Sequence, residues 1–191
     1  ARFAAYFLFY CAVWSIAGAH KERVLILNSL VAVGIIIALF SWAQYFLYPD
    51  FRSFVEWGWD DHLYRISGTF LDPNFMSLIL VLILILIVVG FFEKRNVKNI
   101  LLGILVFSAL LFTYSRSGYI AFLVGMSVVS IFFRKWIVLL IALFLLSVSI
   151  LFLPRPEGEG IKLERLASAV ARLENWQESF ELIKERPLFG H

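Results

Sequence analysis

Residues 113–118 read Thr-Tyr-Ser-Arg-Ser-Gly and lie between two apolar runs, 100–112 and 119–133. A guanidinium keeps its proton, and holding one at membrane depth costs about 3 kcal/mol or more. A chain that keeps Arg116 there must lift it to the water interface or use it to hold an anion. The nearest acids in sequence are Glu93 and Glu157, so a local ion pair does not explain it. Three more arginines stand at comparable places: Arg65 ahead of the apolar run 75–92, Arg172 on an amphipathic stretch one turn from Trp176, and Arg186 before Pro187. Guanidinium groups converging at a lipid interface form a receptor for phosphate or diphosphate, because each grips phosphoryl oxygens in a two-pronged way. Ser115, Ser117 and Thr69 add hydroxyls, and Asn74 adds an amide. Gly118 and Gly68 are expected to let a head group approach the backbone.

Each of these residues also has a plainer explanation. An arginine in a turn often snorkels or is simply solvated. Arg65 follows Asp60 and Asp61, Arg172 precedes Glu174 and Glu178, and Arg186 is placed to cap a helix end. Asn74 follows Pro73 and fits a helix start. His62, among acids, is expected to be solvated. Trp57 and Trp59 are expected to anchor at the interface rather than to stack on a sugar.

Composition excludes several classes. The chain is 61% hydrophobic with a mean hydropathy of +0.86, against about 45–50% apolar residues in soluble domains, so it is read as a membrane protein. The net charge of +3 comes from short clusters between apolar runs and does not point to nucleic acid. Cys11 is the single cysteine, and His20, His62 and His191 lack ligand spacing, so neither a disulfide nor a metal site is expected. No cofactor is expected. There is no Gly-rich nucleotide loop and no carboxylate pair suited to hydrolysis, and the acids of 50–61 fit no calcium loop.

The elements that must position the arginines are apolar segments at 3–19, 24–47, 75–92, 99–112, 119–133 and 136–153. The fold expected is all-α, a polytopic transmembrane bundle of about six spans. Asp72 before Pro73 reads as a helix N-cap with proline at the first helical position. Residues 154–160, PRPEGEG, read as a linker. Leu163, Leu166, Val170, Leu173, Trp176, Phe180 and Ile183 then recur at steps of three and four, predicting an amphipathic helix over 161–186. Three alternate turns hold Lys21/Arg23, Lys94/Arg95/Lys98 and Arg134/Lys135, and by the positive-inside rule these are cytoplasmic. The opposite face then receives the loop 48–66, the 113–118 segment and all of 154–191. The chain opens on Ala1 in an apolar segment, which reads as a fragment of a longer membrane protein.

Three motifs together resemble the O-antigen ligase / O-antigen polymerase family: Arg-Ile-Ser-Gly-Thr-Phe-Leu-Asp-Pro-Asn at 65–74, Tyr-Ser-Arg-Ser-Gly at 114–118, and Arg-Leu-Glu-Asn-Trp at 172–176 followed by Arg-Pro-Leu-Phe-Gly at 186–190. The resemblance covers roughly residues 60–191. It implies a multi-pass protein of the bacterial inner membrane whose active face is periplasmic. The segment 1–153 would be the bundle, and 154–191 would open a large periplasmic loop. The implied activity is metal-independent transfer of a glycan from undecaprenyl diphosphate to lipid A–core or to a growing glycan. By motif position, Arg116 and Arg172 are the implied catalytic arginines. Arg65, Asn74, Ser115, Ser117 and Arg186 join them in substrate binding. A histidine that activates the acceptor is expected beyond residue 191, and a fragment ending there is expected to be inactive alone. Implied partners are the lipid-linked glycan, its acceptor and membrane lipids. Two rivals stand beside this reading. A transporter or flippase for lipid-linked glycans would place ionisable groups near mid-span, and a non-catalytic scaffold would be indifferent to Arg116.

Overall fold

The computed structural model describes residues 2–58, 62–154, 161–162 and 167–185. These form α1 (Arg2–Ile16), α2 (His20–Leu47), α3 (Pro73–Glu93), α4 (Val97–Leu111), α5 (Arg116–Phe132), α6 (Trp136–Phe152) and α7 (Ala167–Glu185), with short 3-10 helices at Arg52–Trp57 and Gly68–Phe70. The expected all-helical class holds among the described residues. Two helices, α2 with 28 residues and α3 with 21, are long and apolar enough to cross a membrane. At 1.5 Å per residue they reach about 42 and 31 Å, against about 30 Å of hydrocarbon. Helices α1, α4, α5 and α6 are apolar but shorter.

The start of α3 forms as its sequence dictates. The Asp72 carboxylate accepts from the N–H groups of Asn74 at 2.7 Å and Phe75 at 3.3 Å, and Pro73 takes the first helical position. Asn96 caps α4 in the same way, accepting from the Lys98 N–H at 3.0 Å. Residues 20–23, expected as a turn, instead begin α2. Glu22 folds back to accept from the Ala19 N–H at 3.1 Å, so the carboxylate satisfies a donor that the helix start leaves open.

Helix α3 is the centre. Its Met76, Leu80, Ile83, Leu84 and Ile87 are buried among Ala38 of α2, Val106 and Leu110 of α4, and Phe122 and Met126 of α5. Helix α6 packs on α5, contributing Ala142 and Leu146 to the same core. The three basic turns share one end of this bundle. A cleft there is lined jointly by Val24 of α2, Lys94 after α3 and Lys98 of α4, and Lys135 lies over the Phe92 ring at 4.8 Å. The described residues of 62–72, the 113–118 segment and Pro154 meet at the other end, through the bonds given below.

The loop after α2 closes on itself. Asp50 and Leu63 form an antiparallel bridge, with Phe51 N–H donating to the His62 carbonyl at 3.0 Å and Tyr64 N–H to that of Pro49 at 2.9 Å. His62 is therefore buried beside Phe51 rather than solvated. Trp57 is exposed; Trp59, Asp60 and Asp61 lie outside the described residues. Of the amphipathic helix expected over 161–186, the described residues show Ala167–Glu185. Ile161 and Lys162 lie before it, and Ile161 belongs to the bundle core with 2% of its surface exposed. Leu163, Leu166, Arg186 and His191 lie outside the described residues.

Candidate functional site

The 113–118 segment joins the last turn of α4 to the first turn of α5. The carbonyls at the end of α4 have no partners within the helix and carry the negative end of its dipole. Here they are satisfied one by one. The Leu111 carbonyl accepts from the Tyr114 N–H at 3.2 Å and the Tyr119 hydroxyl at 2.6 Å. That of Phe112 accepts from the Ile66 N–H at 2.8 Å. Arg65 completes the set, its Nε donating to the Thr113 carbonyl at 2.9 Å and its Nη2 to that of Tyr114 at 3.5 Å. Arg65 is only 3% exposed, so this cation caps a helix C-terminus from 48 residues away in sequence.

Gln44, from α2, holds the strand of chain that presents Arg65. Its Oε1 accepts from the N–H groups of Ser67 at 3.1 Å and Gly68 at 3.2 Å, and its Nε2 donates to the Arg65 carbonyl at 3.4 Å. Tyr114 adopts a left-handed backbone, φ 50°, which costs a non-glycine residue about 1 kcal/mol or more. Its ring is buried and its hydroxyl donates to the Pro154 carbonyl. Burial, with a smaller contribution from nearby Tyr45, pushes the Tyr114 phenol well above its ordinary range, so it stays protonated and able to donate.

Ser115 is the N-cap of α5, its hydroxyl accepting from the Gly118 N–H at 3.2 Å. The same hydroxyl donates to Asn74 Oδ1 at 2.9 Å and lies 3.0 Å from the Ser117 hydroxyl and 3.1 Å from that of Ser77. Ser77 in turn donates to the Asn74 carbonyl at 2.6 Å. Ser115 is fully buried, so its hydroxyl is committed to joining α3 to α5; Asn74 and Ser117 are half-buried at the edge of the node. Arg116, half-buried, occupies the first helical position of α5 beside it.

The glycines serve another purpose than the one expected. A Cβ on Gly118 would stand 2.5 Å from the Ser77 Cβ and Oγ, and one on Gly68 would stand 2.5 Å from the Ser41 Oγ. The space at both is already taken by protein, so they permit close packing and not the approach of a head group. Gly68 also has φ +57°, which glycine accepts without strain. Thr69 is exposed.

Arg65, Asn74, Ser115, Arg116 and Ser117 thus come together at one end of the bundle. Arg172 is exposed on α7, whose described side chains from Val170 to Glu185 all face outward. Chain length limits its separation from the buried Ile161 to about 30 Å. Arg186 is outside the described residues. Sequence reasoning missed Ser77, Gln44 and the Tyr114 hydroxyl. The signal for Ser77 and Gln44 was the presence of a polar residue in an otherwise apolar helix.

Neither the curated proteins nor the solved structures yield a match to this chain. The O-antigen ligase family model matches residues 101–191, a stretch that begins inside α4 and takes in the Arg116 turn, α5, α6 and α7. Arg65 and Asn74 lie before the matched stretch, yet their side chains reach into it. Over residues 101–191, the chain is similar to the O-antigen ligase family.

Proposed function

We propose that this protein transfers a glycan from a polyprenyl diphosphate, undecaprenyl diphosphate in bacteria, to lipid A–core at the periplasmic face of the inner membrane. The single observation that supports this most is the half-buried Arg116 at the N-terminus of α5, beside a hydroxyl cluster and opposite the basic turns. A helix N-terminus favours anions, and a forked cation there adds a two-pronged grip on phosphoryl oxygens. In the reaction an acceptor hydroxyl attacks the anomeric carbon, the bond from that carbon to the diphosphate oxygen breaks, and the polyprenyl diphosphate leaves with the electron pair. Arg116, joined by Arg172 from α7, would stabilise that developing charge. Arg65 would act by holding the turn, since its guanidinium is occupied by backbone carbonyls. Asn74, Ser117 and Arg186 would contact the donor, and Ser115 would fix the start of α5. The acceptor proton would pass to the histidine that the family resemblance places beyond residue 191. Six membrane-crossing segments, with the basic turns cytoplasmic, complete this reading.

Polymerisation of glycan repeats uses the same bond exchange with a different acceptor and is the alternative activity. A carrier is less well supported, because the polar node gathers at one end of the bundle. The test is Arg116→Ala and Arg116→Lys in the full-length protein, in cells lacking their own copy, with glycan attachment read at matched protein levels. Alanine is expected to lower attachment by about a hundredfold or more. Lysine is expected to restore little of it, because a point charge cannot fork. Full attachment in both variants would remove Arg116 from the reaction.

A further inference from the structure

A cleft of about 710 Å³ lies at the basic-turn end of the bundle, between α2, the last turn of α3 and the first turn of α4. It belongs to neither the Arg116 turn nor the hydroxyl node, which are at the other end. Its walls change character with depth. The half-buried part is apolar, formed by Ile35, Leu86 and Leu102. The mouth is polar, formed by Asn28, Glu93, Lys94, Asn96, Lys98 and Asn99. Asn28 and Asn99 have no side-chain hydrogen bond among the described residues, although both stand in apolar helices. An amide in that setting calls for a partner, because lipid tails offer none. Helix α1 does not supply one, since its side chains over Phe3–Ile16 are exposed.

We propose that this cleft is a binding site for an anionic glycerophospholipid. The observations match the molecule part by part. Lys94 and Lys98 flank the mouth, with Arg95 between them in sequence, so cations outnumber the one carboxylate, Glu93, and favour a phosphodiester with a negative or uncharged head. Asn28 and Asn99 share the mouth with the lysines and can donate to the glycerol ester carbonyls. The apolar walls below take the upper acyl chains. Basic pockets between transmembrane helices bind acidic lipids by this combination of charge and depth. The assignment is independent of the reaction at the Arg116 end and of which leaflet the basic turns face.

The experiment uses the full-length protein purified in detergent and dioleoylphosphatidylglycerol as the probe, with dioleoylphosphatidylcholine as reference, and reads retained lipid by native mass spectrometry. Phosphatidylglycerol is expected to be retained in preference to phosphatidylcholine. Lys94→Gln with Lys98→Gln is expected to weaken retention about tenfold. Arg134→Gln with Lys135→Gln removes the same charge from the same end outside the cleft and is expected to leave retention unchanged. Equal retention of the two lipids, or equal loss in both double variants, overturns the proposal in favour of diffuse surface charge. Should the lysine variants fail to fold, a photo-crosslinking residue at Ala32, which lines the cleft from α2, decides the matter in the otherwise native protein in membranes. A phosphatidylglycerol adduct supports the site, and an adduct to another protein segment or to phosphatidylethanolamine overturns it.

Discussion

The two ends of the bundle use their cations in opposite ways. At the basic-turn end, Lys21, Arg23, Lys94, Arg95, Lys98, Arg134 and Lys135 are all exposed. They sit at helix ends or in the short turns between helices, where the number and side of cations matter more than their geometry. At the other end Arg65 is buried and Arg116 half-buried, and the surrounding contacts are long-range hydrogen bonds with specific partners. Charge that sets topology tolerates substitution by any other cation, whereas charge that holds a helix end or an anion does not. The comparison therefore predicts that lysine can replace arginine at the first end and fails at the second.

The largest effect should come from Arg65→Ala. It leaves the Thr113 and Tyr114 carbonyls without their cation, and the loss of hydrogen bonds from a charged donor should destabilise the protein by about 2–3 kcal/mol. Denaturant unfolding in detergent measures it. A loss no greater than that of Arg95→Ala would erase the difference between the two ends. Next comes Gly118→Ala, whose methyl must push Ser77 aside, with an expected cost of about 1–3 kcal/mol. Ser77→Gly in the same chain should restore part of that stability, and absence of any rescue would place the strain elsewhere. The smallest effect belongs to the exposed pair Asp50–Arg52, 2.6 Å apart. The Arg52 side chain and N–H both donate to Asp50 and hold its carboxyl at about 2, below the ordinary 3.8. A depressed carboxylate contributes stability above its unfolded pKa and loses it as pH falls toward 2. Arg52→Ala should return the titration to the ordinary range, read by carbon NMR of labelled Asp50. The melting temperature at neutral pH should not move measurably, because solvent screens the pair.

Local chemistry was readable from the chain. Asp72-Pro73 announces the start of α3, and the basic turns mark one end of the bundle, because both signals lie within a few residues. The proximity of Arg65 to the Arg116 turn was expected from topology, but its role as a cap was not. Its acceptors lie 48 and 49 residues away, and no local pattern encodes that pairing. His62 looked solvated beside Asp60 and Asp61, yet the ladder through Phe51 buries it. Gly118 and Gly68 suggested room for a ligand. Only the packing partner shows who occupies the space, and Ser77 and Ser41 are invisible from the glycines' own neighbourhoods. Arg172 was expected at the same rim, and its helix is described without contacts that bring it there.

The phenol of Tyr114 grips the chain where α6 ends, at Pro154. The residue on its other side leads directly into Ser115 and Arg116. A pull on the segment that follows α6 must then either snap that bond or drag the arginine turn along with it. Displacement of Pro154 and adjustment of the Arg116 turn are in this way mechanically geared, with one hydroxyl as the tooth.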